Sequence, residues 1–205
     1  MKNLFITLFI GLLFFSCSSN QKRQEAIEKY NEALNYYSYS ILNLSYSDST
    51  LKKTIEILDE AIEIDPEYAF PYCKKASILT EMAQTDEGLT VLEAGFKKVG
   101  ENDINLLIQK VILYEKQGQT DLAMPVYDKL IAAYDKILKK DPESFYALSN
   151  KAVLIGLTNN LEMGLKKLEE IPTDKLAPND TIQLKFLKRT LKESSRDEII
   201  KKMDL

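Results

Sequence analysis

The stretches KKTIEILDEAIEIDP (residues 52–66) and YDKLIAAYDKILKKDP (residues 127–142) decide the fold class. In each, apolar residues recur at three- and four-residue spacing, which puts them on one stripe of an α-helix. Each then stops at an Asp-Pro pair, Asp65-Pro66 and Asp141-Pro142. Proline pushes the residue before it out of the helical region and cannot donate a backbone hydrogen bond, so the helix ends there. Another aromatic-rich helical pattern follows both pairs. Helix, sharp stop and helix again is the punctuation of stacked helix pairs.

Composition agrees. The chain has 205 residues, 45% hydrophobic and 28% charged, with 7 Gly, 6 Pro and no Trp. That is enough for one sizeable core or a short repeat array. So few glycines argue against an all-β fold, whose tight turns consume them. The formal net charge is -4, and about -5 once residues 1–16, whose one charge is Lys2, are removed. A mildly acidic chain with no Lys/Arg run is not built for nucleic acid.

The N-terminus MKNLFITLFIGLLFFSCSS carries a second message. Lys2 precedes an apolar run from Leu4 to Phe15, interrupted by Thr7 and Gly11. It is shorter than the ~20 residues a spanning helix needs, and fits the apolar region of an export signal. Ser16 sets a small residue before Cys17. This segment resembles the lipobox of bacterial lipoproteins, with Phe14 where that family prefers Leu. The resemblance implies removal of residues 1–16 and diacylglycerol and palmitate on Cys17. With Ser18 rather than Asp next, it implies the outer membrane, and with no acidic run in SSNQKRQ (residues 18–24) it implies the periplasmic face. Several acyl chains make a stable anchor, whereas one does not. Cys73 is then left without a disulfide partner.

The body resembles tetratricopeptide repeats, helix-turn-helix units of 34 residues with small residues at positions 8, 20 and 27. A unit begun at Asn35 places Leu42 at 8, Thr54 at 20, Leu58 at 24, Ala61 at 27 and Pro66 at 32. One begun at Ala69 places Ala76 at 8, Leu79 at 11, Gly88 at 20, Leu92 at 24 and Gly95 at 27. A third, from Asp103, has Leu113 at 11, then slips by one to Ala123 and Tyr127. Its Pro142 comes seven residues late, about two turns, which predicts a lengthened second helix containing Pro125. A fourth, from Phe145, has Ala152 and Gly164 and is cut short by Pro172. The resemblance implies an all-α fold, a right-handed superhelix of antiparallel helix pairs with about four units and a capping helix. That cap is expected over NDTIQLKFLKRTLKESS, with Asn179 or Asp180 as N-cap and Ile182, Phe186 and Leu187 covering the last pair. The expected organisation is signal 1–16, tether 17–23, repeat domain 24–193 and tail 194–205, with Arg196 to Leu205 a short extra helix or a frayed end.

Chemistry is scarce. With no His, the commonest general base and every His metal site are absent. No phosphate loop or dinucleotide fingerprint occurs, and no cofactor or metal is expected. Cys73 reads as a small apolar residue. The candidate binding residues are those at groove positions of the repeat. Tyr36, Tyr39 and Asn43 come from the first unit, Phe70, Cys73 and Ser77 from the second, and Tyr146 and Asn150 from the fourth. Tyr36 and Tyr39 are expected to face Phe70 and Cys73, as anchors for a peptide or as packing between helices. The family's carboxylate clamp is not expected, because Cys73 and Ser77 stand where it needs basic or amide side chains. The implied function is a non-enzymatic, lipid-anchored scaffold holding envelope proteins or peptide segments in its groove. The alternatives are a small-molecule or peptide-processing enzyme in the same groove, which would need a closed polar pocket, and an oligomerising module with a self-complementary apolar patch.

Overall fold

The computed structural model describes the backbone of residues 2–202 and the side chains of residues 20–202. The export segment and Cys17 lie outside the described side chains. The elements are α1 (Lys2–Leu42), α2 (Asp48–Ile64), α3 (Ala69–Glu81), α4 (Thr85–Val99), α5 (Ile104–Lys116), α6 (Thr120–Lys140), α7 (Phe145–Thr158), α8 (Leu161–Glu169), α9 (Pro178–Glu193) and α10 (Arg196–Lys201). Among the described residues there is no strand. The protein is all-α, built from antiparallel helix pairs. The chain forms two compact units, Met1–Leu106 and Leu107–Leu205.

The Asp-Pro pairs act as their chemistry requires. Asp65 (φ -137°) and Asp141 (φ -135°) are the C-caps of α2 and α6, each held extended by the proline after it. The same turn follows both: Tyr68 N–H bonds Asp65 O at 3.1 Å and Ser144 N–H bonds Asp141 O at 3.2 Å. The likeness reaches further into each unit. Lys75 on α3 pairs with Asp59 on α2 at 2.5 Å, and Lys151 on α7 pairs with Asp135 on α6 at 2.5 Å. A shift of 76 residues carries the first pair onto the second, and Phe70 onto Tyr146.

The turns within pairs are built differently. Helices α1, α3 and α5 each end in paired backbone bonds around one left-handed residue: Leu44 (φ 55°), Ala83 (φ 61°) and Gly118 (φ 70°). Ser45 N–H reaches Ser40 O, Gln84 N–H reaches Leu79 O and Gln119 N–H reaches Tyr114 O. This closure usually takes glycine, and two of the three sites lack it.

In the first unit, Ala33, Leu51, Ile57, Leu58 and Ile78 form a core cluster, with Tyr30, Tyr37, Ile55 and Met82 packed against it. Thr54, Leu58 and Ala61 are buried as the repeat register requires, and so are Ala76, Leu79, Gly88, Leu92 and Gly95. A Cβ on Gly95 would lie 3.0 Å from Leu106 Cδ2 and 3.1 Å from Tyr72 Cγ, so this is a close crossing. The register of the first helix is corrected. Leu42, expected at the small crossing position, is 80% exposed, whereas Ala26, Ala33 and Ser40 are buried. α1 runs past its partner's crossing, so its small residues lie further back in the chain than a 34-residue count puts them.

In the second unit, α6 spans 21 residues, lengthened as its late proline requires, and remains one helix through Pro125. Its Ala123, Tyr127, Leu130 and Tyr134 are buried. α7 and α8 cross at Ala152, Gly156 and Gly164, where a Cβ on Gly164 would meet Gly156 Cα at 2.7 Å. α9 corrects the expected cap on two counts. It starts at Pro178 behind N-cap Ala177, because proline at the first helical position is already set for the helix. It buries Leu184 and Leu191, seven residues apart, and exposes Ile182 and Phe186. The tail forms α10, with a capping box between Ser195 and Glu198. Arg196 donates to Leu157 O at 2.9 Å and pairs with Glu115, whose side chain is 2% exposed.

Candidate protein-binding face

The first helices of the two pairs in the first unit, α1 and α3, bring most of its aromatic side chains together. Tyr30 stands edge-on to Tyr68 at 5.7 Å between ring centroids and lies 6.1 Å from Phe70, which is 5.6 Å from Tyr68. Arg23 lies over the Tyr68 ring at 5.2 Å and pairs with Asp65. Phe70 is exposed, so the cluster has an open side. Burial pushes the Tyr30 phenol up to about 12, with Tyr68 and Cys73 adding to it. The Cys73 thiol rises to about 12, first from burial and then from the Asp103 carboxylate.

Further along the same helices, Tyr37 and Tyr46 meet edge to face at 6.1 Å. Both hydroxyls donate to the Glu81 carboxylate, Tyr37 at 2.9 Å and Tyr46 at 2.5 Å. Lys74 Nζ sits 3.9 Å over the Tyr37 ring, and burial lowers its pKa against the pull of Glu81. Both phenols are raised, by burial first and by Glu81 next.

The expected residues divide. Phe70 and Cys73 join this face, Phe70 in the ring cluster and Cys73 beside Tyr30. Tyr36 and Tyr39 are exposed, and the rings packed toward α3 are instead Tyr30 and Tyr37. Tyr36 lies near Lys53 of α2. The Asn43 amide is turned onto its own helix, donating to Tyr39 O at 2.9 Å. Ser77 is 1% exposed, behind the face rather than on it. In the second unit Tyr146 is exposed with its ring 5.7 Å from Tyr134, and Asn150 donates to Tyr146 O at 2.7 Å. The missed signal is the 26-30-33-37-40 spacing, which puts Tyr30 and Tyr37 on the stripe of Ala26, Ala33 and Ser40 and leaves Tyr36 about 100° away.

Among the described residues, cavities lie within single units. One of about 700 Å³, between Asn20, Arg23, Asp65 and Lys97, is open and polar. Two of about 350 and 360 Å³ in the second unit mix aliphatic with charged side chains, Val153, Leu191 and Arg189 in one and Leu148, Ile155 and Lys151 in the other. The carboxylates displaced from their ordinary range all move down. Glu60 and Glu170 are held low by Lys29 and Lys167, and Glu198 by the Ser195 backbone N–H. Among the described residues no group of three or more metal-ligating side chains converges, and no helix is long and apolar enough to cross a membrane.

No protein-family model and no curated protein sequence matches the chain. Among solved structures it is similar to a tetratricopeptide repeat protein from Parabacteroides merdae. The identity is 16% and the TM-score 0.42, over 88% of this chain and 64% of that one. The chain thus spans less than two thirds of that protein, and the likeness is too loose to add to the geometry.

Proposed function

We propose that this protein is a non-enzymatic scaffold of tetratricopeptide-repeat type, anchored by lipid on Cys17 to the outer membrane of a bacterial envelope and facing the periplasm. It holds a protein segment against the α1–α3 face. The observation that carries the reading is the Tyr30–Tyr68–Phe70 cluster, open to solvent at Phe70, with the Tyr37–Lys74–Glu81 group further along the same helices. Exposed aromatic side chains on rigid helices are anchors of protein recognition. The anchor half rests on the apolar run ending at Ser16-Cys17.

Two measurements test the halves separately. Cys17→Ser should abolish labelling by radioactive palmitate and leave precursor or released protein; equal labelling ends the anchor reading. Phe70→Ala should weaken capture of envelope proteins by tenfold or more, as loss of an interface anchor of ~2 kcal/mol does, at an unchanged thermal midpoint. Normal capture with a lowered midpoint would make the ring a packing residue.

A further inference from the structure

The turn joining α1 to α2 adjoins the face just described and shares Tyr46 with it. Residues 33–47, ALNYYSYSILNLSYS, contain no charged residue in a chain that is 28% charged; Glu32 and Asp48 bound the gap. Six large apolar side chains in this stretch are exposed: Tyr36, Tyr39, Ile41, Leu42, Leu44 and Tyr46, with Leu42 at 80% and Leu44 at 94%. Summed, they expose on the order of 700 Å², close to the ~800 Å² each partner gives a standard interface. Leu44 also occupies the left-handed site of the turn, a conformation glycine takes freely and leucine only at a cost. A leucine held there with its side chain in water points to a use for that side chain.

We infer that this tip is a self-association surface through which two copies of the chain meet about a two-fold axis. An isologous contact must be complementary to itself. Tyr and Ser hydroxyls and Asn amides both donate and accept hydrogen bonds, so a patch made of them and of aliphatic groups matches its own copy. Like charges facing across the axis would repel, and this is the stretch of an acidic chain where none stands. Its rim carries charge that is already partnered: Lys53 pairs with Glu56 at 2.8 Å, and Glu81 takes the two tyrosine hydroxyls. A membrane is the poorer occupant. The stretch has no Lys or Arg for headgroups, and Leu42 stands ~33 Å along α1 from Asn20, away from the end nearest Cys17. The inference does not depend on the anchor.

The test uses the full chain purified in detergent, its mass read by light scattering with the detergent subtracted. A dimer is expected. Leu42→Ser with Leu44→Gly should raise the dimer dissociation constant at least tenfold. Leu44→Gly relieves the left-handed leucine, so circular dichroism should show an intact fold and a failure to dimerise is not misfolding. With the purified chain and copper–phenanthroline as oxidant, Leu44→Cys should form an intermolecular disulfide well above the level of Glu101→Cys, an exposed control in the same unit. A monomer throughout the accessible concentration range, or equal cross-linking of the two cysteines, overturns the inference, including the case in which the tip binds only a different protein.

Discussion

Two glycines at one crossing should respond oppositely to the same substitution. At Gly164 a new Cβ would sit 2.7 Å from Gly156 Cα, 2.8 Å from Ala152 O and 2.9 Å from Gly156 N. All three are backbone atoms in the C-terminal half of α7, so no side chain can turn aside. Ordinary contact begins near 3.4 Å, so α7 and α8 must part by roughly 0.7 Å. Overpacking of this kind costs ~1–3 kcal/mol. Alanine would recover up to ~1 kcal/mol of helix propensity, less here because Gly164 lies in the first turn of α8. Gly164→Ala should therefore lose ~1–2 kcal/mol. At Gly156 the new Cβ would meet Gly164 Cα at 3.5 Å and Leu191 Cδ1 at 3.6 Å, ordinary contacts. Gly156→Ala should then be neutral or gain a few tenths of a kcal/mol, up to ~0.5, in the last turn of α7. Urea unfolding followed by circular dichroism reads the two midpoints. Hydrogen exchange of the α7 and α8 amides assigns the change to this unit, which matters because two compact units need not unfold together. If Gly164→Ala proves as stable as Gly156→Ala, the crossing is looser than described and the account of these small residues fails.

Three further outcomes follow from named contacts. Arg196→Ala leaves the buried Glu115 carboxylate with the Thr120 hydroxyl at 3.4 Å and should cost ~2–3 kcal/mol by thermal unfolding, and adding Glu115→Gln should restore part of it; additive losses would show that the pair is not coupled. The Cys73 thiol, raised to about 12, should react with maleimide at pH 8 about a hundredfold or more slower than in the unfolded chain. Because the unfolded thiol ionises first, stability associated with this group is intact below about pH 8.5 and lost as pH rises toward 12, and Cys73→Ala should flatten that decline. Ala83→Gly, relieving a left-handed alanine, should raise the midpoint by the equivalent of ~0.5–1 kcal/mol, and a lowered midpoint would refute the turn geometry.

What the sequence determined by itself was local. Asp-Pro ended helices because proline removes a donor and constrains its neighbour, whatever surrounds it. Small residues at repeat spacing marked Ala76, Gly88, Gly95, Ala152 and Gly164 as crossings, because only they let backbones approach. Tertiary structure decided which side of a helix each aromatic uses. α1 carries Tyr30, Tyr36, Tyr37 and Tyr39 within ten residues, and a shift of one position turns a helix by about 100°. The choice followed from where α2 and α3 lie, which buried the stripe through Ala26, Ala33 and Ser40 and left Tyr36 and Tyr39 in water. The same held at α9, where contact with α7 and α8 selected Leu184 and Leu191 over Ile182 and Phe186. The apolar tip at Leu42 and Leu44 is the plainest case. A run of Leu, Ile and Tyr reads as core in any sequence, and only the path of α1 beyond its crossing put it outside.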